Sequence, residues 1–178
     1  DETFADYCQE RSILPLVASL SRVIVLRSLT KFYGLPGLRV GYAVAARSVV
    51  EQVRCLVPPW SVNAMGQVAA IAALQDTAHE KKSLAFMKKE RARFSRGLSS
   101  MAGCMVMPAH ANYIYVELPG GWHASEVTAR LRRDGILIRD CSSIPGATTG
   151  SIRVAVRSKR DNDRLLKSLT WLLCHGAS

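Results

Sequence analysis

The chain has no run of about 18 or more apolar residues, so no transmembrane helix is expected. It also shows no basic, apolar leader. The first residues are Asp1-Glu2-Thr3-Phe4, with no initiating Met before them, and the start reads as a cut into a longer chain. Paired cysteines are missing too. Cys8, Cys55, Cys104, Cys141 and Cys174 are odd in number, widely spaced and never in a C-x-x-C arrangement. That argues against a disulfide framework and a structural zinc site, and it points to a reducing cytoplasm. His79, His110, His123 and His175 are scattered, so no metal is expected. Aromatic residues are scarce at 7%, and neither a zinc-finger nor an RNA-binding signature is present. Nucleic acid is therefore not the expected partner. No internal repeat and no low-complexity tract interrupts the chain.

What is present is an ordinary globular composition: 178 residues, 48% hydrophobic and 21% charged, enough for one domain or parts of two. Lysine and arginine total 24 against 14 acidic residues, a formal charge of +10. Such a balance favours anionic partners, including phosphorylated small molecules.

The hydrophobic pattern alternates between strand-like and helix-like segments, which indicates an α/β fold. Val23–Leu26 is a short β-branched run of the kind found in buried parallel strands. Val40–Ala46 reads as a second strand. Ser48 is expected to cap a helix over Val49–Leu56, stopped by Pro58-Pro59. Ser61 is expected to open another, with Val62, Met65, Val68, Ala69 and Ala72 on one face. A long amphipathic helix is predicted from Thr77 to Met101, apolar at Leu84, Met87, Phe94, Leu98 and Met101. Its other face carries Lys81, Lys82, Lys88, Lys89, Arg91, Arg93 and Arg96, read as a stripe facing water. Tyr113–Val116, Ile136–Ile138 and Ile152–Val156 read as strands. Ser125–Asp134 reads as a helix ended by Gly135, and Asp161–Leu173 as a closing helix. The division is placed near residue 80: 1–80 as the tail of one α/β domain, 81–178 as a smaller α/β domain.

Chemistry concentrates in Ser28-Leu29-Thr30-Lys31-Phe32-Tyr33-Gly34-Leu35-Pro36-Gly37-Leu38-Arg39-Val40-Gly41-Tyr42. A lysine follows a buried strand, with hydroxyls at Ser28 and Thr30 and an arginine at Arg39. Glycines let the backbone turn back. This set suits a phosphate-bearing aldehyde. Lys31 supplies an amine, which must be partly desolvated or near other cations to be nucleophilic. Ser28 and Thr30 can donate to phosphate, and Arg39 can clamp it.

The whole string resembles the lysine motif of fold-type-I pyridoxal-5′-phosphate (PLP) enzymes, in the branch that holds histidinol-phosphate aminotransferase and threonine-phosphate decarboxylase. The resemblance implies Lys31 as the Schiff-base lysine, with Ser28, Thr30 and Arg39 on the cofactor phosphate. Asp1-Glu2-Thr3-Phe4 is similar to the family's D-E-x-[YF] strand end, which puts Asp1 in the position that pairs with the pyridine nitrogen. A carboxylate there favours the protonated ring, which withdraws electrons from the substrate α-carbon. Phe4 stands where aminotransferases often carry a tyrosine, so that hydroxyl contact is absent or supplied elsewhere. An exposed chain terminus is the other reading of Asp1.

Pro58–Ala64 is similar to a segment of threonine-phosphate decarboxylases. Gly135–Cys141 and Ile152–Arg157 resemble the family's small-domain strands. There Arg153 matches the arginine that grips the substrate carboxylate, and Arg139 one near the substrate's anionic groups. A surface ion pair remains the alternative for each, and Arg157 is read as structural.

The likeness covers almost the whole chain but only the C-terminal half of the family's enzymes, which are homodimers with shared sites. The fragment alone is therefore expected to lack a complete site. The implied activity is PLP-dependent decarboxylation of L-threonine O-3-phosphate, which makes the aminopropanol phosphate linker of cobalamin. A histidinol-phosphate-type aminotransferase and a non-catalytic fragment are the alternatives.

Overall fold

The computed structural model describes residues 1–176 and divides at Lys82/Ser83 into two compact units. The first unit begins with short 3-10 turns at Ala5–Tyr7, Gln9–Arg11 and Leu14–Ser19. Strand β1 (Ile24–Ser28) then pairs with β2 (Gly41–Ala45), in a register that sets Ile24 against Ala45 and Ser28 against Gly41. The pairing is antiparallel. This corrects the expectation of a parallel strand: a run of β-branched residues specifies an extended segment but carries no information about its neighbour's direction. Helices α1 (Arg47–Arg54) and α2 (Ala64–Gln75) follow.

Neither helix is capped where the sequence suggested. Ala46 takes the cap position of α1 and Ser48 lies inside the helix. At α2 the cap is Asn63, not Ser61, and its side chain accepts a hydrogen bond from the Gly66 amide at 2.8 Å. Asparagine and serine cap about equally well, so propensity could not separate the two sites. The face of α2 expected to pack inward is largely open: Met65, Val68 and Ala72 are exposed. The small interior of this unit is made by Ala5, Val17, Val25, Leu29, Phe32 and Val40.

The unit boundary falls within α3 (Thr77–Ser99). The second unit holds a four-stranded antiparallel sheet in the order β3-β4-β6-β5. Its strands are β3 (Met105–Val106), β4 (Tyr113–Glu117), β5 (Arg139–Asp140) and β6 (Ser151–Ala155). Helix α4 (Ala124–Arg133) lies between β4 and β5 in sequence, and α5 (Lys159–His175) closes the chain. Side chains of successive strand residues alternate between faces. Ile114, Val116, Ile152 and Val154 are fully buried, whereas Arg153 and Ala155 are exposed. Phe94 and Leu98 of α3, Val127 and Leu131 of α4, and Leu165, Leu169 and Leu172 of α5 are buried as well. Ile136–Ile138 is not a strand. The ladder begins instead at Arg139, opposite Arg153, and Leu137 is exposed. Gly135 does end α4 as expected, with φ of 69°.

Polar networks fix the helix ends. Ser158 caps α5 by accepting from the Asp161 amide at 3.2 Å. Glu90 of α3 is buried and bonded by Arg93 and by Asn162 of α5.

Candidate active site

The loop between β1 and β2 is drawn together by its own backbone. The Leu29 amide donates to the Val40 carbonyl at 3.2 Å, Leu35 to Leu29 at 3.3 Å, and Gly34, with φ of 66°, to Lys31 at 3.3 Å. Gly41 permits the close approach at the loop's base: a Cβ there would lie 2.5 Å from the Arg27 carbonyl oxygen.

This fold brings Ser28 and Thr30 together. Their hydroxyls lie 2.8 Å apart, both residues half-buried, and the Thr30 amide reaches Ser28 Oγ at 3.3 Å. Lys31 follows directly and is exposed. The desolvation expected at a nucleophilic amine is thus not provided by the described residues. Arg39 is exposed too and holds a left-handed backbone with φ of 52° at the end of the 3-10 turn Pro36–Leu38. Such a conformation costs a non-glycine residue roughly 1–2 kcal/mol. Arg39 Nη1 donates to the Pro36 carbonyl at 3.2 Å, which leaves its other guanidinium donors open to an anion. The donor set fits a phosphate group beside an aldehyde: two adjoining hydroxyls, an arginine and a lysine on one tight loop.

Asp1 is exposed, and its carboxylate accepts from the amide and hydroxyl of Thr3. The Glu2 amide donates to the Leu26 carbonyl at 2.9 Å, which fastens this segment alongside β1. Phe32 makes edge-to-face ring contacts with Tyr7 and Tyr33, each with centroids 5.1 Å apart. Burial pushes the Tyr7 and Tyr33 hydroxyls above their ordinary range.

One group was not anticipated. Arg27, on the inward face of β1, is buried and forms ion pairs with Glu2 at 3.0 Å and Asp6 at 2.8 Å. Ser12 and the Ile13 amide add hydrogen bonds to Glu2 at 2.7 and 2.8 Å. Burial raises the Asp6 carboxyl above its usual range despite Arg27. Glu2, although burial opposes its charge, is held below its usual range by the donors from Ser12, Ile13 and Arg27. The signal in the sequence was an arginine at an alternating position within an apolar strand, which must find acidic partners if it points inward.

In the second unit, Arg139 and Arg153 are direct cross-strand partners on the open face of the sheet. Both are exposed, and neither forms a salt bridge among the described residues. Like charges in that register repel. Tyr115 faces Arg153 from β4, and its hydroxyl donates to Ser151 Oγ at 2.6 Å. The guanidinium carbon of Arg153 stands 4.9 Å from the centroid of the Tyr113 ring. Arg157, by contrast, pairs with Asp161 at 3.1 Å on the surface.

The family model for Aminotransferase class I and II matches residues 1–169. The chain belongs to this family. It is 37% identical over 175 residues to the threonine-phosphate decarboxylase of Salmonella typhimurium, covering 97% of this chain and 48% of that protein. Among solved structures, the histidinol-phosphate aminotransferase of Clostridium acetobutylicum superposes with a TM-score of 0.93 at 27% identity, over 98% of this chain and 53% of that one. The histidinol-phosphate aminotransferase of Sinorhizobium meliloti, solved in complex with pyridoxal-5′-phosphate, gives a TM-score of 0.84 at 25% identity, over 99% and 48%. The chain spans about half the length of the curated relatives it matches. The fold is that of the fold-type-I PLP enzymes over this half, and the family together with the Sinorhizobium complex supports PLP as cofactor.

Proposed function

We propose that this chain supplies the lysine side of a PLP site in an enzyme that decarboxylates L-threonine O-3-phosphate, acting as a homodimer in the cytoplasm and serving cobalamin synthesis. When bound, PLP would supply an electron sink for the pair left on the substrate α-carbon as carbon dioxide departs. Lys31 Nζ would hold the cofactor at its aldehyde, and it is the amine placed to carry a proton to the substrate α-carbon. Asp1 holds a proton on the ring nitrogen. Ser28, Thr30 and Arg39 bind the phosphate.

The observation that carries the substrate reading is the register that sets Arg139 against Arg153, with neither in a salt bridge among the described residues. Two adjacent guanidinium groups on an open face suit a ligand with two anionic groups, here a carboxylate and a phosphate. Arg153 takes the carboxylate and Arg139 the second anionic group. A tight hold on the leaving carboxylate would stabilise the ground state, so these contacts serve orientation more than rate. The identity to the Salmonella decarboxylase supports the same reading. A histidinol-phosphate-type aminotransferase is the second reading, supported by the TM-score of 0.93 to the Clostridium enzyme.

The test is product analysis with the full-length protein, PLP and L-threonine O-3-phosphate. Carbon dioxide and aminopropanol phosphate should form without an oxo-acid acceptor, and borohydride reduction of the resting enzyme should label Lys31. Turnover that requires an oxo acid and releases no carbon dioxide would replace the decarboxylase reading with the transaminase one.

A further inference from the structure

The Arg27 cluster lies outside every role assigned so far. Its guanidinium joins β1 to three side chains of the 1–12 stretch, Glu2, Asp6 and Ser12. Nη2 meets Glu2 Oε2 at 3.0 Å and Ser12 Oγ at 2.9 Å, and Nη1 meets Asp6 Oδ1 at 2.8 Å. The Glu2 carboxylate is saturated: Ser12 Oγ donates to one oxygen and the Ile13 amide to the other. Arg27 Nε is buried without a partner among the described residues. As a contribution to stability the arrangement is poor. Desolvating three charges offsets much of their attraction, and an apolar residue of similar volume packs a strand interior at least as well.

The position of the cluster gives it another use. Glu2 adjoins Asp1, and Arg27 adjoins Ser28, three residues before Thr30 and four before Lys31. The 1–3 segment meets β1 a second time through the Glu2 amide on the Leu26 carbonyl. A backbone bond alone allows the 1–3 segment to swing about it. An ion pair from the adjoining side chain, anchored on β1, removes that freedom.

We propose that Arg27 is a positioning residue: through its ion pair to Glu2 it holds the Asp1 carboxylate in fixed register with the Ser28–Lys31 loop, so that the two ends of one cofactor cradle keep their spacing. This rests on the assignment of Asp1 and Lys31 made above. Asp6 locks the other side of the guanidinium, which keeps Arg27 from rotating away.

The experiment uses the full-length protein loaded with PLP labelled with nitrogen-15 in the ring. Glu2→Gln, Arg27→Lys and Arg27→Met are compared with the parent by nitrogen NMR at neutral pH, by PLP binding and by thermal melting without cofactor. Glu2→Gln keeps the shape of the side chain and removes its charge, so it reports even if Arg27→Met does not fold. In the parent the ring nitrogen should be protonated. In Glu2→Gln its resonance should move toward the unprotonated value, and PLP binding should weaken on the order of tenfold, the loss of one hydrogen bond to a charged group. Arg27→Lys, which keeps the charge, should move the resonance less than Arg27→Met does. A lower melting temperature with an unchanged ring-nitrogen resonance would reduce Arg27 to a structural residue and overturn the proposal. An unprotonated ring nitrogen in the parent itself, or PLP attached elsewhere than Lys31, would instead overturn the cofactor assignment on which it rests.

Discussion

The two units bury their apolar residues in opposite styles. In the second, sheet and helices close over Phe94, Leu98, Ile114, Ile152 and Leu169, all fully buried. In the first, large apolar side chains stand in the open: Ile24 and Leu26 on one face of β1, Val50 and Val53 on α1, and Met65, Val68 and Ile71 on α2. Ile24, Leu26, Ala43, Ala45, Val49 and Val53 line one continuous groove. A two-stranded sheet is marginal by itself. The less covered unit is the one that carries the lysine loop, and the chain spans only about half the length of the relatives it matches.

That contrast can be broken most directly by truncation. Phe94→Ala should destabilise the second unit by about 3–5 kcal/mol in denaturant unfolding, because it leaves a cavity among residues that cannot all collapse. Met65→Ala on α2 should change stability by less than about 0.5 kcal/mol, as surface substitutions do. Equal losses would mean that the open face of α2 is covered in solution.

A smaller effect separates the units by acid. Hydrogen bonds from Arg93 and Asn162 hold the Glu90 carboxyl below its ordinary range. Its folded affinity for protons is therefore lower than its unfolded affinity. The stabilisation is fully present above the usual carboxylate range, near about pH 4.3, and is lost as pH falls through the lowered folded value. Acid unfolding followed by far-ultraviolet circular dichroism should show this loss, and Glu90→Gln should flatten it. A further change concerns a helix end. Ser158→Ala removes the α5 cap and should cost about 1 kcal/mol, read as a lowered melting temperature.

Much of this could be read from residue order. The strands around Ile114 and Ile152 and the helices around Phe94 and Leu169 follow from apolar spacing, because one buried face imposes a period of two or of 3.6. The hydroxyl pair was legible as well, since Ser28 and Thr30 flank one residue at a strand end. The parts that escaped depend on neighbours distant in the chain. Ile136–Ile138 has strand-like residues, yet the ladder takes up Arg139–Asp140 instead. Arg27 follows the apolar run Val23–Leu26 and drew no reading of its own, because its partners Glu2 and Asp6 reach it only in the folded chain.

Sequence by itself determined the alternation of strands and helices, the family, and the residue types available for holding a phosphate and an aldehyde. These depend on local spacing and on the chemistry of single side chains. Tertiary structure alone decided the antiparallel pairing of β1 with β2, the opposition of Arg139 and Arg153, and the partners of Arg27. Each of these joins segments whose meeting depends on strand direction and register, and hydrogen bonding between strands selects those only once the chain has folded back on itself.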